Sequence, residues 1–210
     1  MKKKYKPVQI PIPAVFINLD RSKDRRERFT ASATKQTGNC FGRKTKGQTG
    51  TETKIERLEA VDGSTVKSNI LGVTNNEYAC LQSHIKAIEY ARENKLPCIA
   101  IFEDDIVFTD TFEKDFKYYL SVMPEDWHIL YLGGSFGRRP SYFDQNFTKQ
   151  NMTWGAFAYI VNACAYDNLL DMFNRAKDIT DAVLIDYQKT YLCIKPSKKL
   201  VIHPKGFSTI

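Results

Sequence analysis

An α/β fold, with a mostly parallel or mixed sheet flanked by helices, follows from three features of the sequence. Short apolar runs alternate with stretches of helical periodicity, one run (98–102, CIAIF) is apolar throughout, and Gly, Pro and Asp-Gly signals punctuate the joins. A strand with no polar alternation is what a sheet covered on both faces requires. The 210 residues suit a single domain, and 13 Phe with 11 Tyr supply bulk for its core.

The elements follow in order. Residues 13–19 (PAVFINL) are rich in β-branched and aromatic side chains and read as a buried strand. Asp20 or Ser22 caps a helix over 23–34. Residues 36–53 carry Gly, Thr, Lys and Gln without periodicity and read as a mobile loop, before a second strand at 55–61 closes on the turn Asp62-Gly63. Thr74 and Glu77 form a capping box, and the helix behind them aligns Tyr78, Leu81, Ile85 and Ile88 in one stripe ending near Pro97. After the strand at 98–102, a helix opens at 110–113 and stops before Pro124. A strand at 127–132 ends on Gly133-Gly134, and 135–150 read as irregular. A strand at 156–161, a helix at 163–175 and short strands near Leu192 and at 200–202 complete the chain. In sheets of this kind ligands gather beyond the carboxyl ends of the strands, which singles out the residues after Leu19, Phe102 and Leu132.

Composition narrows the function. No apolar run approaches the ~20 residues that a membrane crossing needs. The charged start has no apolar stretch behind it, so the sequence is expected to be soluble, intracellular and cytoplasmic. Five scattered cysteines without a CxxC pair argue against a disulfide framework and a structural zinc site, and read as reduced packing thiols. The matches to the N-glycosylation pattern at Asn146 and Asn151 are expected to be chance in such a chain. The net charge of +7 concentrates in the first 60 positions, and residues 1–12 form a basic extension to a domain over 13–210. With no nucleic-acid module and no aromatics among the basic runs, a phosphate-bearing small molecule is the expected partner, peripheral membrane association is compatible, and nucleic acid is not expected.

The strand at 98–102 delivers three consecutive acids, Glu103, Asp104 and Asp105. Like charges this close raise one another's pKa unless a cation or hydrogen bonds offset them, and a hard divalent ion such as Mg²⁺ or Mn²⁺, which takes oxygen ligands, would do so. Strand alternation is expected to send Glu103 and Asp105 to one side and Asp104 to the other. The competing reading is a solvated strand end with Asp104 or Asp105 capping a turn. Arg21 and Arg25, just past the first strand, are placed to complement a diphosphate, or to lie on a solvated helix face. His84 is either catalytic or a packed or capping residue, and Asp181 and Asp186 sit in an apolar segment, where Asp181 also suits a helix N-cap. His203 is a candidate third metal ligand.

Taken in order, seven segments resemble glycosyltransferase family 25, which holds bacterial lipooligosaccharide galactosyltransferases and collagen hydroxylysine galactosyltransferases. They are 15–29 (VFINLDRSKDRRERF), 55–63 (IERLEAVDG), 77–84 (EYACLQSH), 101–108 (IFEDDIVF), 127–133 (WHILYLG), 155–161 (GAFAYIV) and 181–184 (DAVL). Two departures stand out: Asn76-Glu77 replaces the usual Gly-Glu, and the C-terminal end is short, so an acceptor-binding portion is expected to be missing or reduced. The resemblance implies a GT-A fold, a single Rossmann-like domain that binds a nucleotide sugar and usually Mn²⁺, with Mg²⁺ as the substitute. Glu103, Asp104 and Asp105 then stand at the family's acidic metal motif and Asp181 at its later acidic motif.

On this basis the expectation is inverting, metal-assisted transfer of a hexose, galactose first, from a UDP-sugar to a hydroxyl of a glycan or hydroxylysine-type acceptor. Glu103, Asp105 and His203 are expected on the metal. Asn18, Arg21, Arg25, Asp62, His84 and Asp104 are expected on substrate, with Asp181 as general base and Asp186 as its substitute. Residues 36–53 and 135–150 are the expected acceptor-facing loops. Two rivals remain in view: a nucleotidyltransferase, which would release pyrophosphate, and an inactive carbohydrate- or partner-binding module of the same fold.

Overall fold

The computed structural model describes residues 4–42, 55–136 and 141–204. Twelve strands and five α-helices alternate along them. The order is β1 (Ala14–Asn18), α1 (Lys23–Gln36), β2 (Glu56–Glu59), α2 (Asn75–Glu93), β3 (Cys98–Glu103), β4 (Val107–Phe108) and α3 (Phe112–Ser121). There follow β5 (Ile129–Tyr131), β6 (Ser135–Phe136), β7 (Ser141–Tyr142), β8 (Phe147–Lys149), β9 (Thr153–Trp154) and β10 (Ala158–Asn162). Then come α4 (Tyr166–Asn174), α5 (Thr180–Thr190), β11 (Cys193–Pro196) and β12 (Val201–Ile202).

Eight strands form one mixed sheet in the order β2-β1-β3-β10-β5-β11-β8-β7. β1, β2 and β3 are parallel, β10 is antiparallel to both β3 and β5, and β11 is parallel to β5. Residue alternation along these strands sorts side chains into two cores. Phe16, Ala100, Phe102, Leu130 and Ile160 face α1 and α3, while Val15, Ile99, Ile101, Tyr131 and Val161 face α2, α4 and α5. On the first face Phe29, Phe41, Phe102, Phe108, Phe112 and Phe116 pack ring against ring. Truncating one such buried ring to Ala costs about 3–5 kcal/mol. This slab lies directly beneath the acidic strand end.

Several local expectations are met in detail. Thr74 and Glu77 exchange both capping-box hydrogen bonds, and Leu81, Ile85 and Ile88 are buried while Tyr78 is half-buried. Asp62 closes its turn by accepting from the Ser64 backbone. Others are corrected. Ser22 sits at the N-cap of α1 but makes no side-chain cap. Instead its carbonyl accepts from Asn18 Nδ2 at 3.1 Å.

The stretch 135–150 is not irregular where it is described. β6 pairs with β9, and β7 and β8 form a hairpin that extends the main sheet. Strands of two or three residues are too short to show a period of two. Residues 43–54, most of the expected loop, lie outside the described residues, but Cys40 and Phe41 at its start are fully buried in the phenylalanine slab. Helix α5 runs through a segment read only as apolar. Residues 4–12 run along the end of α3, with Lys6 N–H on the Met123 carbonyl and Val8 N–H on the Leu120 carbonyl. Among the described residues, no helix is long and apolar enough to cross a membrane.

Candidate active site

A cavity of about 610 Å³ opens beyond the ends of the central strands, a size typical of small-molecule sites. Its walls come from the carboxyl ends of β3 (Glu103) and β5 (Leu132, Gly133), the entry to β10 (Gly155, Ala156, Phe157), the first turn of α5 (Asp181) and the residue after β12 (His203). All of these sit where β10 reverses the strand direction between β3 and β5. That is where open α/β sheets gather ligands.

The acidic run divides because β3 ends at Glu103. Alternation therefore does not carry past that residue, which corrects the expected pairing of Glu103 with Asp105. Glu103 faces the cavity, whereas Asp104 and Asp105 turn together onto one guanidinium. Arg25 reaches Asp104 Oδ1 at 2.6 Å and Asp105 Oδ2 at 2.7 Å, and Asn18 Nδ2 donates to Asp104 Oδ2 at 2.6 Å. Burial still pushes both carboxyls above the ordinary aspartate range. Asn18 and Arg25 oppose the rise at Asp104, while Glu103 adds to it at Asp105 against Arg25 and His203. His203 Nε2 completes the group, 3.2 Å from Asp105 Oδ2.

Asp181 lies in the first turn of α5, with Ile179 rather than Asp181 at the N-cap. Its carboxylate accepts from the backbone N–H of Gly155 at 2.9 Å and of Ala156 at 2.8 Å. Gly155 has φ +89°, and an added Cβ would stand 2.8 Å from the Phe157 ring. Only glycine takes that turn without strain, and it is what aims the peptide at Asp181. Burial raises the Asp181 pKa against these two donors, and Glu103 adds to the rise.

Glu103, Asp181 and His203 thus line one cavity, and Asp105 joins it through His203. The other expected residues lie elsewhere. Asp186 is 62% exposed and paired with Lys189 on the outer side of α5. Arg21 is 62% exposed and paired with Asp62. Neither Arg21 nor Asp62 lines the cavity, because their mutual pairing holds them at the surface. Arg25 is committed to the acidic turn rather than turned toward a diphosphate. Asn18 and His84 are each 1% exposed, which leaves no surface for substrate contact. His84 instead packs behind Glu103, with Nδ1 2.8 Å from Tyr159 Oη.

Sequence reasoning missed two cations on the cavity wall, Lys195 and Lys199. Their signal was the run KPSKK at 195–199, overlooked beside the larger basic excess near the start. Burial, with Lys199 nearby, lowers the Lys195 pKa, so an anion here would be welcome on electrostatic grounds.

For a hard divalent ion, Glu103, Asp105 and His203 supply two carboxylates and an imidazole, a donor chemistry that suits Mn²⁺ or Mg²⁺. Asp105 Oδ1 is buried with no hydrogen-bond partner among the described residues, as a ligand oxygen would be. The residues fit the ion in chemistry. Their ligand atoms are not all within 4.8 Å of one another; among the described residues only Cys80, His84 and Glu103 meet that spacing.

A mixed α/β sheet with its cavity at the strand reversal has a GT-A glycosyltransferase architecture. Residues 12–185 match the family described as "Glycosyltransferase family 25 (LPS biosynthesis protein)", and the chain belongs to that family. Among solved structures it is similar to a glycosyltransferase involved in the glycosylation of the major capsid of PBCV-1. The TM-score is 0.51 at 10% identity, over 95% of each chain. It is also similar to a Drosophila β-1,4-galactosyltransferase 7 in complex with manganese, UDP-Gal and xylobiose, with a TM-score of 0.46 at 12% identity, over 92% of this chain and 71% of that one. The galactosyltransferase LgtC with donor and acceptor sugar analogues gives a TM-score of 0.43 at 12% identity, over 87% and 72%. These likenesses concern the fold, and the PBCV-1 enzyme carries them. No curated protein matches the chain.

Proposed function

We propose that the protein transfers a hexose, galactose first, from a UDP-sugar to a hydroxyl of a glycan or hydroxylysine-type acceptor, with inversion and with Mn²⁺ or Mg²⁺ as the assisting ion. The observation that carries this reading is the single cavity that joins Glu103 and His203 to Asp181 in a chain of glycosyltransferase family 25.

Glu103, Asp105 and His203 would hold the ion, which supplies Lewis-acid stabilisation of the leaving diphosphate. Arg25 and Asn18 fix the acidic turn from below, so that Asp105 keeps its place. Lys195 and Lys199 bring positive charge to the donor phosphates as charge develops there. Asp181, pinned by Gly155 and Ala156, takes the acceptor hydroxyl proton. The acceptor oxygen then bonds the anomeric carbon from the face opposite the diphosphate, and the C–O bond to the phosphate breaks with its electron pair leaving on UDP.

A panel of UDP-, GDP- and CMP-sugars, with Mn²⁺ and with EDTA, tests the reading by released nucleotide. Metal-dependent release of UDP that Asp105→Asn abolishes is the expected result. Silence with every donor, or release that Asp105→Asn leaves unchanged, would overturn it.

A further inference from the structure

Cys80 and His84 are one helical turn apart on α2 and share a face. The Cys80 thiol, a His84 ring nitrogen and a Glu103 carboxylate oxygen all lie within 4.8 Å of one another. His84 is fully enclosed, yet its Nε2 has no hydrogen-bond partner among the described residues. That nitrogen points toward Glu103 Oε1, 3.6 Å away. The two groups are an ion pair when His84 is protonated, but no hydrogen bond joins them, and a buried imidazole nitrogen without one calls for an explanation.

We propose that Cys80, His84 and Glu103 form a binding site for a borderline-soft divalent cation of the Zn²⁺ class. Bonds of about 2.0–2.3 Å in a tetrahedral centre set ligand atoms roughly 3.5 Å apart. The His84–Glu103 spacing of 3.6 Å already has that value. Thiolate and imidazole together select Zn²⁺ over the hard ions that an all-oxygen set prefers. The second shell is in place as well: Tyr159 Oη holds His84 Nδ1 at 2.8 Å, which fixes the ring and leaves Nε2 for the ion. Thr180 Oγ1 lies 3.9 Å from Cys80 Sγ. Cys80 and Glu103 both line the cavity, so the fourth coordination position opens into it. On binding, the Cys80 S–H bond and, in the protonated ring, the His84 Nε2–H bond break, their protons pass to solvent, and the thiolate and the neutral imidazole bond the metal.

The site does not depend on the transferase reading, although Glu103 is common to both donor sets. Co²⁺ serves as the optical probe on the whole chain, followed by displacement with Zn²⁺. The expected result is a thiolate-to-cobalt charge-transfer band that saturates at one equivalent. It is absent in Cys80→Ser and Cys80→Ala, retained in Cys164→Ser and Asp105→Asn, and bleached by one equivalent of Zn²⁺. Tyr159→Phe should weaken Co²⁺ binding about 10-fold or more by freeing the ring. Thermal unfolding of each variant shows that it is folded. No thiolate band in the parent protein, or a band that persists in folded Cys80→Ser, overturns the proposal. Loss of metal-stimulated transfer in Asp105→Asn with the band intact would separate this site from the hard-ion site.

Discussion

His203 Nε2 stands 3.2 Å from Asp105 Oδ2, so the residue behind β12 reaches back to the turn behind β3. The contact is held by the pairing of β12 with β4, which follows the acidic turn directly. His203→Ala is therefore expected to raise the Mn²⁺ concentration for half-maximal transfer by at least about 10-fold, by analogy with losses around metal sites generally. Rates over a Mn²⁺ series measure this.

Asp181→Asn should lower kcat by about 10²–10⁴, the usual contribution of a general base, with little change in donor KM. Asp186→Asn should leave kcat unchanged, because that carboxylate is paired with Lys189 outside the cavity. Initial rates at saturating donor and acceptor decide between the two aspartates.

The pH profile should carry the same signature. Burial lifts the Asp181 pKa above the ordinary aspartate range. A base works only when ionised, so activity should fall as pH drops through that raised value, at higher pH than an exposed aspartate would give. The acid limb of kcat/KM reads it.

Arg25→Met should destabilise the fold by about 3 kcal/mol at neutral pH, since it strands two buried carboxylates. The sign with pH follows from the raised pKa values of Asp104 and Asp105. Both bind protons more tightly folded than unfolded, so they favour folding at low pH and lose that contribution as pH rises from the ordinary to the raised value. The deficit of the variant relative to the parent should accordingly shrink in acid. Urea denaturation at several pH values tests this.

The sheet was legible because its central strands are apolar runs bounded by strong turn and cap signals, as at Thr74 and Glu77. β7 and β8 were not, because two- and three-residue strands have no period to read. At the site, local sequence placed the three acids at a strand end but could not say at which of them the extended backbone stops. That stop decides that Asp104 and Asp105 share Arg25 instead of facing opposite ways. His84 behind Glu103 is a product of long-range packing, which single residue types do not announce, while KPSKK at 195–199 shows charge but not its place on the cavity wall.

The place of β10, wedged antiparallel between β3 and β5, has a consequence for how the molecule is made. A nascent chain leaving the ribosome presents its acidic turn well before β10, α5 or β12 has emerged to enclose it. Until then the turn has Arg25 for company but no cavity. Cleavage anywhere between residues 105 and 203 would divide the proposed site between two fragments. Neither would hold a complete centre, and recovery would require the two pieces to reassociate across the sheet.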